Sequence, residues 1–326
     1  MHICGGLRFT AHTTAAENRL AVSAVLTAVD LAPLDAAVEQ AIDRGRPSGL
    51  RVLGFGEISL VIGWPTDDPS VAAKRLPVFG PGAQPAAYAA LVARYVHELR
   101  GRGVDVVDTE VHSLPAADGV HVYLMQPLVA GEDVLTAVLA RADRDERARL
   151  LRRLVESILL AVDDGVGLDA QAGNWAVDGD RLALLDVSTP MLRSADGRQA
   201  LELPVFLSIY PSALRRLLRP VADHVMAQYH DRRMVLLDVA SNLHKEELDS
   251  CVPAFLAAAN ARIAPAITVD ETLRYFRRDR VLWLLMQRLR RADRAWQRTV
   301  RRRRYPFLLA PPYRYGPMSP PPEGSA

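Results

Sequence analysis

Residues 50–77, LRVLGFGEISLVIGWPTDDPSVAAKRLP, constrain the fold more than any other stretch of this chain. Three short runs alternate apolar and polar residues and are parted by a glycine-containing turn and by TDDPS, so they read as consecutive strands. Connections this short allow only antiparallel neighbours, because a parallel crossover needs a dozen or more residues. One face of such a meander must be covered. Residues 84–100 supply the cover by placing Tyr88, Leu91, Val92, Tyr95, Val96 and Leu99 on one helical stripe. Two further strand patterns, VDVVDTEVHSL and VHVYLMQPLV, are joined by the turn AADG, which makes five strands with one helix inserted after the third.

Beyond residue 132 the pattern turns helical. ERARLLRRLVESILLAVDDG predicts a helix buried on one side and ending at Gly165, and residues 207–262 and 270–303 carry further helical segments. The Ala- and Leu-rich residues 13–44 predict helix ahead of the sheet, stopped by RGRPSG. The division expected is a helical extension at 1–48, a sheet unit at 49–129, a helical unit at 130–304 and a Pro-rich tail at 305–326. A hydrophobic content of 49% is enough for a large core, and the class is α+β with two lobes. Cys4 and Cys251 are too few and too distant for a disulfide framework. With no secretory pattern at the start and no uncharged apolar run of spanning length, a cytoplasmic protein without a membrane span is expected.

The stretch most suggestive of chemistry is GLDAQAGNWAVDGDRLALLDVSTP, residues 167–190. Taking DGD as a tight turn centred on Gly179, partners sum to about 360 and Asn174 falls opposite Asp186. Two hard oxygen donors at the open end of a hairpin suit Mg²⁺ accompanied by phosphate. Asp169, five residues before Asn174, is placed to orient a hydroxyl for attack.

In this order, sheet, helix and loop, the chain resembles the protein-kinase-like superfamily, most closely its aminoglycoside-phosphotransferase-like branch, and also an uncharacterised kinase-like family with loops in the style of NWAV and LDVSTP. The resemblance covers about residues 50–190. It implies a bilobal fold and an ATP- and Mg²⁺-dependent phosphotransferase acting on a small hydroxyl-bearing substrate. LGFGEIS is similar to the nucleotide-covering turn, with Gly54, Gly56 and Ser59 beside the phosphates. VAAK supplies Lys74 for them. MQPLV resembles the hinge, with Gln126 and Leu128 at the adenine edge. DAQAGN resembles the catalytic loop, with Asp169 as base and Asn174 as metal ligand, and LLDVSTP the second metal position at Asp186.

Departures from the pattern carry an alternative. Ser59 replaces a third glycine, Gly167 and Leu168 replace the usual residues before the aspartate, and Val187 and Ser188 follow the second aspartate. No glutamate stands mid-helix in 84–100 to pair with Lys74, and Glu98 lies near the helix end. These losses fit a kinase-like binding or regulatory module without transfer. Residues 271–304 hold thirteen arginines against Glu271, Asp279 and Asp293, a net +10 in a chain of net +2. That block suits an anionic partner, whereas the lack of aromatic and basic interleaving argues against nucleic acid. The histidines, among them His97, His112, His121, His224, His230 and His244, share no metal-ligand spacing.

Overall fold

In the computed structural model, which describes residues 30–55 and 60–309, the three alternating runs form β1 (Arg51–Phe55), β2 (Leu60–Trp64) and β3 (Val71–Arg75). They pair antiparallel, with Val61 opposite Lys74. The stripe helix α2 (Pro85–Gly101) follows, with proline in its first turn, where a missing N–H leaves no intrahelical bond unmade. The stretch 104–114, expected as one strand, is split. Arg100 donates to Val106 O at 2.8 Å and to Asp108 Oδ1 at 2.6 Å, which turns the chain there. Only two residues, β4 (Asp105–Val106), precede that turn. After it, β5 (Glu110–Ala116) and β6 (Gly119–Pro127) complete an antiparallel sheet of order β1-β2-β3-β6-β5.

Both faces of this sheet are buried, and β6 shows how, since neighbouring side chains on a strand point to opposite faces. Val122 and Leu124 pack with Tyr88, Val92, Tyr95 and Leu99 of α2 in the larger core. Tyr123 and Met125 join Ile62, Val71 and Ala73 in a second core, closed by Leu34, Val38 and Ile42 of α1 (Leu31–Arg44). Each of these three buried aliphatics contributes about 1.5–3 kcal/mol. The helix expected as an extension is therefore integral to the sheet unit. Its ends are set locally: Asp30 accepts from Ala32 N, and Gly45 adopts the left-handed φ of 69° that ends the helix. Residues 13–29 of the expected helical stretch, and the tail beyond residue 309, lie outside the described residues.

The remainder is helical apart from a hairpin: α3 (Leu135–Arg141), α4 (Arg144–Ala161), β7 (Trp175–Asp178), β8 (Arg181–Leu184), α5 (Leu203–Leu207), α6 (Ser212–Gln228), α7 (Arg232–Lys245), α8 (Val252–Asn260) and α9 (Val269–Thr299). β8 also pairs parallel with β4. α4 stops four residues before Gly165 because the Asp163 carboxylate accepts from Gly165 N and Val166 N at 2.9 and 2.8 Å, a turn that competes with helical bonding. α9 has 31 residues, so it runs for about 46 Å. Near its start, Glu271 pairs with Arg233 of α7. Past its end the chain reaches α1: Arg298 donates to Ile42 O at 2.9 Å, and Arg304 pairs with Glu39 and Asp43. Tyr305, in the segment expected as an unpacked tail, is 2% exposed. Among the described residues, no helix is long and apolar enough to cross a membrane.

Candidate functional site

Lys74 stands on β3 between Ala73 and Arg75, whose side chains point to the α1 face; its own points to the other. There it meets Asp186, 112 residues later, with Nζ 2.6 Å from Oδ2. It also donates to Ser188 Oγ at 2.9 Å. Asp186 Oδ1 accepts from the Ser188 amide at 3.0 Å and from its hydroxyl at 2.7 Å. Burial pushes the Asp186 carboxyl upward, but the Lys74 ammonium and the Ser188 donors outweigh it and hold the pKa below the ordinary value. Lys74 takes its counter-charge from Asp186, and α2 contributes hydroxyls. Tyr88 donates to Ser188 O at 2.7 Å and Tyr95 to Gly167 O at 2.8 Å, which ties the sheet-covering helix to both ends of the loop.

The hairpin between these ends is in register one residue away from the expected one. Asp178 pairs with Arg181 and Trp175 with Leu184, so the turn is the two residues Gly179 and Asp180, and partners sum to 359. Asn174 therefore faces Leu185, whose amide donates to Asn174 O at 2.8 Å, and Asp186 lies one residue further along. A turn centred between two residues, not on one, shifts every pair by one. The loop itself is pinned. Asn174 Nδ2 donates to Asp169 O at 3.2 Å, Trp175 Nε1 to Ala170 O at 3.2 Å, and Leu168 N to Tyr229 O at 3.1 Å. At Gly167 a β-carbon would come within 3.0 Å of Tyr229 O and 3.1 Å of the His230 ring, so any side chain there would require its neighbours to shift.

Asp169 has a buried Oδ1 without a hydrogen-bond partner. Desolvation first, and then the charge of Asp186, raise its pKa to about 6. Asp238, on helix α7 and flanked there by buried Leu237 and Val239, is raised to about 8 by desolvation and by the charges of Asp169 and Asp279. Asn242 Nδ2 donates to Asp238 Oδ2 at 3.0 Å. Sequence reasoning missed Ser188, Tyr88, Tyr95 and Asp238 as parts of this region. The available signal for Asp238 was a carboxylate between Leu237 and Val239 in an apolar helix.

The remaining expected site residues do not converge in the same way. Gly54 lies at an irregularity of the β1–β2 pairing with open space where a β-carbon would be. Gly56 and Ser59 lie outside the described residues. Gln126 is used as a strut, donating to Thr109 Oγ1 at 2.8 Å and to Leu185 O at 2.6 Å, just ahead of Asp186. The Leu128 amide donates to Ser70 O at 3.1 Å, so this donor is engaged within the chain.

A separate cluster lies under α1. Ligand-type atoms of Asp35, Glu39 and His121 come within 4.8 Å of one another. His121 is 1% exposed and bridges Asp35 at 2.8 Å and Asp118 at 2.9 Å. Glu39 already faces Arg75 at 3.0 Å and also Arg304. With two guanidinium groups facing Glu39 and both imidazole nitrogens engaged, the cluster forms an ionic clasp of α1 on the sheet, in which buried Glu39 Oε1 and Arg75 Nε make no hydrogen bond.

The class shown is α+β, a five-stranded antiparallel sheet joined to a mainly helical region. A family described as "Family of unknown function (DUF6206)" matches residues 33–294, and the chain belongs to it. No curated protein matches the chain.

Proposed function

We propose that this chain is an ATP- and Mg²⁺-dependent phosphotransferase with a small hydroxyl-bearing acceptor, built on a bilobal kinase-like frame. The observation that carries the reading is the 2.6 Å contact between Lys74 and Asp186, made across 112 residues. It lies beside a loop that holds Asn174 and an Asp169 carboxyl raised to about 6. A general base is most useful when its pKa lies near the working pH, and Asp169 has moved in that direction. The donor set fits a hard divalent cation: Asp186 is held ionised, Asn174 uses its Nδ2 end internally and so has its amide oxygen for a cation, and Asp169 Oδ1 is buried and unbonded. Bound there, Mg²⁺ would supply charge neutralisation for phosphate oxygens. Lys74 would anchor phosphate from the sheet side, and Asp169 would orient the acceptor hydroxyl and take its proton.

A binding module that keeps the arrangement without transfer is favoured by two observations, the tyrosines that stand on α2 in place of a glutamate and the Leu128 amide engaged by Ser70. Purified protein separates the readings. A phosphotransferase gains thermal stability with ATP only when Mg²⁺ is present, turns ATP over, and loses turnover in Lys74→Met and Asp169→Asn. A binding module shows the stabilisation without turnover. Absence of any stabilisation by ATP and Mg²⁺ refutes the phosphotransferase and the nucleotide-binding form of the module, and leaves only a module that keeps the fold.

A further inference from the structure

We infer that the outer face of α9 is a docking ridge for an anionic lipid surface, a role independent of the phosphotransferase reading. At 100° per residue, the arc within about 60° of Leu285 carries Arg274, Arg278, Val281, Leu282, Leu285, Arg288, Leu289 and, one to two turns on, Ala292 and Trp296. Four of its five large apolar members are open to solvent, Val281 at 68% exposed, Leu282 at 46%, Leu285 at 51% and Trp296 at 55%, and Leu289 is half-buried. Arg274, Arg278 and Arg288 are exposed with them, and no carboxylate lies on this arc between residues 274 and 299.

The opposite side of the helix explains why this face is left over. Thr272, Phe276, Gln287 and Arg290 are buried. Arg298 and Arg304 are used on α1, and Arg233 of α7 holds Glu271. The arginine block is thus divided, with one set fastening the fold and the other flanking exposed Val, Leu and Trp side chains.

Three occupants compete for such a face, and charge and shape choose among them. A second copy would set Arg278 and Arg288 against the same arginines, which repel. Nucleic acid phosphates satisfy arginines but gain little from protruding aliphatic side chains. A lipid surface accepts both, because aliphatic and indole groups enter the headgroup boundary while guanidinium groups meet anionic heads. The apolar side chains project from a helix about 46 Å long as a ridge, which suits a broad surface that yields to it.

The test uses the full chain and sedimented vesicles of phosphatidylcholine, alone or with about 30% phosphatidylglycerol. Binding is expected only with phosphatidylglycerol, and is lost in about 0.5 M NaCl. Two double variants, Val281→Asp with Leu285→Asp and Arg278→Glu with Arg288→Glu, each weaken it by at least about tenfold. All four positions are exposed, and unchanged thermal melts confirm that the variants fold. No binding to the anionic vesicles overturns the inference. So does wild-type binding by the aspartate variant, or tighter binding of poly(U) or a polyglutamate peptide than of vesicles. Self-association abolished by the aspartate variant, without vesicle binding, assigns the ridge to a second copy instead.

Discussion

Replacing Asp169 by Asn should make the protein more stable at neutral pH while removing any phosphotransfer. The unfolded carboxyl titrates at the ordinary 3.8, and the folded one at about 6, because it is desolvated and faces Asp186. A folded-state pKa raised in this way means that ionisation costs stability, with the cost setting in above pH 3.8 and complete above pH 6. At full ionisation the difference corresponds to about 3 kcal/mol. Part of the side chain still meets solvent, so a gain of about 1–3 kcal/mol is the expected range for the variant. With a urea slope of about 3 kcal/mol/M for a chain of this size, the midpoint rises by about 0.3–1 M at pH 7.5. At pH 4 the midpoints nearly coincide. Urea unfolding of both proteins at the two pH values measures this directly. A variant no more stable than wild type at pH 7.5, or equally stabilised at pH 4, refutes the argument that an ionised, desolvated Asp169 strains the loop.

Three further outcomes follow from the geometry. Lys74→Met leaves Asp186 with Ser188 alone. It should cost about 1–3 kcal/mol at pH 7 for a part-buried charged pair, and a double-mutant cycle with Asp186→Asn should recover most of that as coupling. His121 has a pKa raised against burial by its bonds to Asp35 and Asp118. Its stabilising contribution is present below the unfolded pKa and lost as pH rises through the raised folded one; thermal melts should show wild type losing more stability upward from about pH 6.5 than His121→Asn does, the loss common to both coming from Asp238. Gly45→Ala combines a φ of 69° with a β-carbon 2.3 Å from an Arg298 guanidinium nitrogen, so it should cost at least about 1 kcal/mol, measured as a lowered melting temperature.

Strand and helix patterns carried most of the fold because both depend on local periodicity. The β2–β3 meander, α2 and the β5–β6 hairpin are found where alternation and the helical stripe put them. What periodicity does not encode is the competitor for a backbone. Arg100 divided one expected strand, and the Asp163 carboxylate ended α4 early, each through a side chain bonding a few residues away. The hairpin register failed for a similar reason: DGD does not say whether the turn has one central residue or two. In the candidate site, Lys74, Asp169, Asn174 and Asp186 were legible by type and order. Their partners were not, since Tyr88, Tyr95 and Ser188 act through contacts between distant segments. His230 likewise comes from a distant segment to lie against Gly167.

The reach of α9 back to α1 joins the beginning and end of the described chain on one patch, where Leu31 and Leu308 pack against the same core. The fasteners Arg298 and Arg304 lie beyond residue 294, where the family match stops. The sheet unit and the long helix are therefore laced together by a buckle outside the shared region, in addition to the ties that Lys74, Tyr88 and Tyr95 make to the loop.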